Sequence, residues 1–129
     1  VIGRKIGMRE LKFRAWNVED KCWFKIDPTT PVGILSSGRF RVSQYIGLND
    51  FNGNEIYEGD VLQCVDCGKE SRGSVVYQEG LCAFSVEFNA SDGRKFRDLI
   101  LGYKAEHAVD CWGIEVIGNI FENPKLMEG

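Results

Sequence analysis

Hydrophobic and polar residues alternate along most of this chain, in short runs separated by turn residues. Residues 11–16 put Leu11, Phe13 and Ala15 on one side and Lys12, Arg14 and Trp16 on the other, the period of a half-buried strand. A polar turn over residues 17–21 leads into a second run, Cys22-Trp23-Phe24-Lys25-Ile26, which reads as the returning strand of a hairpin. Pro28 and Pro31 then break any regular element, because proline has no N–H to donate and pushes the residue before it out of the helical region. Residues 32–39, with Gly33, Ser36, Ser37 and Gly38, are expected as a loop or short irregular strand. Alternation resumes over residues 40–46.

The stretch over residues 44–62 organises the rest. Asn52-Gly53 is a strong hairpin signal, because a tight turn needs positive φ and these residues reach it most easily. Tyr45 and Ile46 should then meet Ile56 and Tyr57 across it. Gly59-Asp60 is a second turn, feeding the apolar run over residues 61–65. A turn is expected over residues 66–72, a strand over 73–77, a tight turn at Gln78-Glu79-Gly80, and a strand over 81–88 with Cys82, Phe84, Val86 and Phe88 on one side. These make a meander. Residues 91–95 form a turn with a basic tip, residues 104–110 have the composition of one helical turn, and residues 114–121 read as a closing strand ended by Asn123-Pro124. The expected fold is mainly β: a small SH3-like or partly open β-barrel with an N-terminal β-hairpin extension and little helix.

The chain has 129 residues, enough for a single domain with its own core. Residues 1–7 read as a non-native or over-called extension ahead of Met8, leaving residues 8–129 as the domain. No apolar run is long enough for a membrane-spanning helix. A formal net charge of -3 argues against general coating of nucleic acid, so any such contact must be local. Five cysteines, an odd number, fit reduced thiols and a cytoplasmic setting.

Four blocks in order carry a resemblance: Arg9-Glu10-Leu11-Lys12-Phe13-Arg14-Ala15-Trp16; Gln44-Tyr45-Ile46-Gly47-Leu48-Asn49-Asp50; Asn52-Gly53-Asn54-Glu55-Ile56-Tyr57-Glu58-Gly59-Asp60; and Glu115-Val116-Ile117-Gly118-Asn119-Ile120-Phe121-Glu122-Asn123-Pro124. Together they resemble the YopX family of bacteriophage and prophage proteins. The resemblance implies a small β-rich protein expressed in the host cytoplasm. It supplies no catalytic residues, and the recurrent positions are turn glycines and core apolar residues.

Candidate chemistry is sparse, and no catalytic set is expected. Cys64-Val65-Asp66-Cys67 has the spacing of half a zinc knuckle, which His107 and Cys111 could complete. Against it, Cys64 falls where strand alternation wants a core residue, so no cofactor is expected and zinc is the lesser reading. Asp50-Phe51-Asn52-Gly53-Asn54 starts like a calcium loop, but Glu55 stands where glycine is needed and Val61 where a bidentate glutamate is needed. Glu55, Glu58 and Asp60 read as turn caps in preference to a nuclease-like metal site.

Two basic runs with aromatic neighbours, Lys12 and Arg14 with Trp16, and Arg94 and Lys95 beside Phe96, carry the ingredients of a nucleic-acid surface. Asn49, Asp50 and Glu58 are expected to be exposed near the hairpin. Trp16, Trp23 and Trp112 are candidates for a contact surface. The reading favoured is a non-enzymatic phage accessory module working through protein contacts, as a homo-oligomer or with a host or phage protein, and the alternative is a nucleic-acid-binding module.

Overall fold

A computed structural model of the chain describes residues 10–66, 69–89, 94–99 and 112–128. These form two antiparallel sheets. The first consists of β1 (Phe13–Asn17), β2 (Cys22–Lys25), β3 (Phe40–Asn49) and β4 (Glu55–Tyr57), in the order β2-β1-β3-β4. The second consists of β5 (Asp60–Asp66), β6 (Lys69–Gln78), β7 (Ala83–Asn89), β8 (Lys95–Leu99) and β9 (Trp112–Asn119), in the order β8-β7-β6-β5-β9. The strands β5 to β8 follow one another as the expected meander, and β9 returns to the free side of β5.

The fold is therefore mainly β, as the alternation predicts. Among the described residues the sheets do not close into an SH3-like barrel, because the chain leaves the first sheet at Glu58-Gly59 and starts a second one. Among the described residues helix is confined to α1 (Val32–Leu35) and two 3-10 turns, Glu79–Leu81 and Pro124–Met127.

The core lies on the inner face of the second sheet. Leu62 and Cys64 of β5, Val75 of β6, and Val86 and Phe88 of β7 form one cluster with Ile56 of β4. Ile46 and Leu48 of β3 pack against it with Phe84, Ile114 and Val116. The far half of the first sheet thus lies over the second. Gly47, at φ +92, interrupts the β3–β4 register between Tyr45 and Asn49, a glycine bulge that bends the strand toward this core. Gly73 sits opposite both Leu62 and Phe88, and a Cβ there would come within 2.4 Å of Val86 Cγ1. Its missing side chain is the space that the large neighbours fill.

Several expectations are corrected by pairing. Residues 32–35 form a helical turn, not a loop or strand. Glu70, Ser71 and Arg72 were expected in a turn but pair with Val65, Cys64 and Gln63, so β6 starts early. Ladder bonding to β5 outweighs their polar character. Cys82 was expected on the inward side of a strand; it instead caps a 3-10 turn at φ +49 and is exposed. The extension at residues 1–7 and the helical turn at residues 104–110 lie outside the described residues.

Candidate functional site

The hairpin predicted at Asn52-Gly53 is present, with different chemistry. Only Gly53 has positive φ, at +88, and its N–H bonds to Asp50 O at 3.0 Å, while Asp50 N–H bonds to Asn54 O at 2.8 Å. This is a three-residue loop with its left-handed position at Gly53. Asp50, expected to be exposed, is 6% exposed. Its carboxylate accepts from the backbone N–H groups of Asn52 (3.0 Å), Asn54 (2.8 Å) and Val116 (2.9 Å), and from Asn54 Nδ2 (3.2 Å). Burial alone would push its carboxyl up, but the N–H bonds from Val116, Asn54 and Asn52 together hold it below the ordinary carboxylate range. Asp50 therefore ties the hairpin of the first sheet to β9 of the second. Asn49 is exposed and bonds Tyr45 and Gly53, while Glu58 is half-buried with its N–H on Gln44 O.

The second tie runs through the crossing between sheets. Gly59 has φ +89, donates to Val75 O at 2.8 Å and accepts from Ile120 N–H at 2.9 Å, with Phe121 against its Cα. Next to it Asp60 is 1% exposed, and it accepts from Tyr57 N–H at 2.7 Å and from Arg14 Nη2 at 2.5 Å. Burial pushes the Asp60 carboxyl above the ordinary carboxylate range, opposed by the Tyr57 amide and the Arg14 charge. Arg14 also donates through Nε to Ser43 Oγ at 3.1 Å. Its guanidinium lies 4.2 Å from the Trp23 ring centroid and 4.5 Å from that of Tyr57, so the planar cation is stacked between two aromatic faces.

Strand register explains this gathering. Arg14 pairs with Lys25 and Trp16 with Trp23, and residues directly opposite share a face. Trp16 and Trp23 meet edge to face at 5.0 Å, and Trp23 meets Phe121 at 5.8 Å. Trp23 Nε1 donates to Glu122. Lys12 pairs with Glu55 and, at 3.1 Å, with Glu10, and its ammonium is 5.6 Å from the Tyr45 ring centroid. The hydrogen bonds from Lys12 to Glu55 and Glu10 hold it above the ordinary lysine value.

At the open end of β1 and β2 these side chains border a groove of about 780 Å³. Lys12, Arg14 and Lys25 line it with Trp23, Phe24 and Tyr57, and Leu11, Phe13 and Ile26 contribute apolar walls. Of the three cations, Lys12 and Arg14 are paired with carboxylates, and Lys25 has no ion pair among the described residues. Of the predicted trio, Lys12 and Arg14 line the groove, while Trp16 lies behind it against Trp23. Lys25, Phe24 and Tyr57 were missed, although the register of the predicted hairpin would have placed the first two beside Arg14 and Ala15.

The other candidates lie elsewhere. Arg94 and Lys95 are exposed on the side of the second sheet, where Lys95 and Arg97 both face Glu87, at 4.0 and 3.0 Å. Glu87 offsets much of that basic tip. Cys64 lies in the apolar core, and burial pushes its thiol up to about 12. The other residues of that zinc reading, Cys67, His107 and Cys111, lie outside the described residues. No helix among the described residues is long and apolar enough to cross a membrane.

Two open antiparallel sheets, joined by buried carboxylates and flanked by an aromatic groove, define a mainly β protein of the two-sheet class. The chain belongs to the YopX protein family, whose pattern matches residues 25–128. It is similar to the crystal structure of protein EF1440 from Enterococcus faecalis, at 26% identity and a TM-score of 0.59, covering 94% of this chain and 100% of that one. It is also similar in fold to protein yopX from Bacillus subtilis, at 16% identity and a TM-score of 0.50, again covering 94% and 100% of the two chains. No curated protein matches the chain.

Proposed function

We propose that this protein is a non-enzymatic phage or prophage accessory module that acts in the host cytoplasm by binding other protein chains. The observation that carries this reading is the groove on the first sheet. Its walls are aromatic and aliphatic, and two of its three cations are already paired with carboxylates of the same chain. Such a site, which Asp27 lines beside Lys25, suits apolar side chains better than it suits a polyanion.

Selection from a displayed peptide library tests it. The wild-type protein should enrich peptides rich in apolar residues, and the Leu11→Asp, Lys25→Glu double variant should lose them while keeping its thermal midpoint. Equal enrichment by both proteins would refute the reading. The second reading, a nucleic-acid-binding module, has one observation in its favour: three cations and four aromatic rings line one groove. It requires affinity for single-stranded DNA that falls with salt by about 0.7 log units per phosphate contact. A slope worth three or more contacts would favour it over peptide binding.

A further inference from the structure

Trp23 stands in the wall of the groove and is held in part from outside its own sheet. Its ring centroid is 4.2 Å from the Arg14 guanidinium, and the ring meets Trp16 at 5.0 Å and Phe121 at 5.8 Å, both edge to face. Such contacts set the plane of a ring. An indole turned over about its outer torsion keeps much of them, because that torsion has two broad wells. The two orientations present different edges of an asymmetric ring to the groove. Indole carries one donor and no acceptor, so a hydrogen bond through Nε1 decides between them. Glu122 accepts that bond.

Glu122 lies 99 positions from Trp23, on the turn that follows β9. Asn119, the last residue of β9 and buried, closes that turn. Its Oδ1 accepts from the N–H groups of Phe121 at 3.1 Å and Glu122 at 2.8 Å, and its carbonyl accepts from Asn123 N–H at 2.9 Å. Asn119 also pairs with Asp60, the residue that holds Arg14 against the Trp23 ring. Ile120 N–H bonds to Gly59 O at 2.9 Å, and Phe121 packs so closely that a Cβ at Gly59 would lie 2.8 Å from its ring. The turn is therefore fixed to the second sheet before it reaches Trp23. Glu122 is exposed, and among the described residues its carboxylate has no other partner.

We infer that the turn from Asn119 to Asn123 positions Trp23 in the groove, with Glu122 selecting one of the two orientations of its ring. Which apolar peptides the first sheet accepts is then set from the end of β9 in the second. Glu122 and Asn119 are positioning residues in this scheme, acting through Trp23, and the part that concerns peptides rests on the reading of the groove as a peptide site.

Fluorine NMR of the full chain grown with fluorotryptophan tests it, alongside the displayed peptide library. The chain has three tryptophans, and Trp23→Phe identifies the signal of Trp23 by its loss. That signal should be single and sharp in the wild type, and should broaden or split in Glu122→Ala. Glu122→Gln should restore it, because the amide oxygen still accepts. Glu128→Ala, which removes an exposed carboxylate of the same C-terminal segment, should leave it unchanged. Enrichment of apolar peptides should fall roughly 3- to 10-fold in Glu122→Ala, the worth of one hydrogen bond, and recover in Glu122→Gln. The thermal midpoint should stay near that of the wild type in both. A Trp23 signal indifferent to Glu122→Ala would overturn the inference, as would a disturbed signal with unchanged enrichment. A wild type that selects no peptide while its Trp23 signal follows Glu122 would refute groove binding alone and uphold the positioning.

Discussion

Replacing Arg14 with methionine removes the cation that answers a buried carboxylate and keeps much of the aliphatic bulk. Arg14 is 2.5 Å from Asp60, whose side chain is 2% exposed, and Arg14 itself is mostly covered by Trp23 and Tyr57. Breaking one partner of such a buried pair destabilises by about 3–5 kcal/mol, because the remaining charge stays out of water. Loss of the stacking on two rings places the expected effect toward the upper part of that range. A domain of this kind is stable by about 5–15 kcal/mol, so the variant should fold with a much lower urea midpoint. Tryptophan fluorescence reports it directly, because Trp23 lies against the guanidinium.

The pH dependence identifies the mechanism. Burial lifts the Asp60 carboxyl above its unfolded value, so between those two values the native state holds a proton that the unfolded chain has released, while above both the carboxylate is charged. Stability from such a group is fully present below the unfolded value and is lost as pH rises through the folded one. Without Arg14 the folded value rises further. The penalty of Arg14→Met should therefore be full at neutral pH and shrink on acidification into the carboxylate range. Adding Asp60→Asn should recover about 1–3 kcal/mol at neutral pH and flatten that pH dependence. A penalty under about 1 kcal/mol, or one that is the same at acid and neutral pH and indifferent to Asp60→Asn, would refute the argument.

Asp50→Ala should destabilise by about 2–4 kcal/mol, because three backbone N–H groups lose a charged acceptor; amide exchange at Val116 should rise in parallel. The Asp50 carboxyl is held below its unfolded value, so its contribution is present above the ordinary carboxylate value and lost as pH falls through the folded one. That trend is opposite to Asp60, and the two single variants compared in acid urea titrations should separate them. Gly73→Ala should cost about 1–3 kcal/mol by calorimetry, since the new methyl would lie 2.4 Å from Val86 Cγ1 and 3.0 Å from the Glu87 carbonyl oxygen. In native protein, iodoacetamide followed by peptide mapping should modify Cys22 and Cys82 well before Cys64, which is buried with its thiol pushed up to about 12.

The strands were legible because alternation is a local signal. Leu11 to Trp16 and Phe84 to Phe88 announce their faces over a few residues, and the hairpin centre falls where Asn52-Gly53 puts it. The misreadings share a different cause. Asp50 looks like a solvated loop residue until Val116 arrives from 66 positions along the chain to donate its N–H. Arg14 looks like an available cation until Asp60, 46 positions away, takes it. Glu70 and Arg72 look like turn residues until β5 supplies their ladder partners. In each case polarity was read correctly, while the partner that decides between solvent, core and sheet is non-local. The groove was half legible for the same reason: Lys12 and Arg14 belong to one alternating run, whereas Tyr57 enters from β4.

The two sheets divide their physical work unequally. On the second, apolar residues face inward and form the core, the arrangement expected of an antiparallel sheet with one side in water. On the near half of the first, Lys12, Arg14, Trp16 and Trp23 take the side toward the second sheet or the groove, and Phe13 and Phe24 on the alternate side also border that groove, while Val42 is exposed. The inward groups are satisfied by Asp60, Ser43, Glu55 and Glu122, and among the described residues every buried side-chain nitrogen or oxygen has a partner. Polar and aromatic contacts thus hold this half of the sheet in place, while on its other side Ala15 is fully buried and Phe24 packs against Phe40. Ala15→Asp, at a buried position, should accordingly lower the urea midpoint far more than Val42→Asp at the neighbouring, exposed one, and a comparable loss at both would refute this division of the face into covered and open positions.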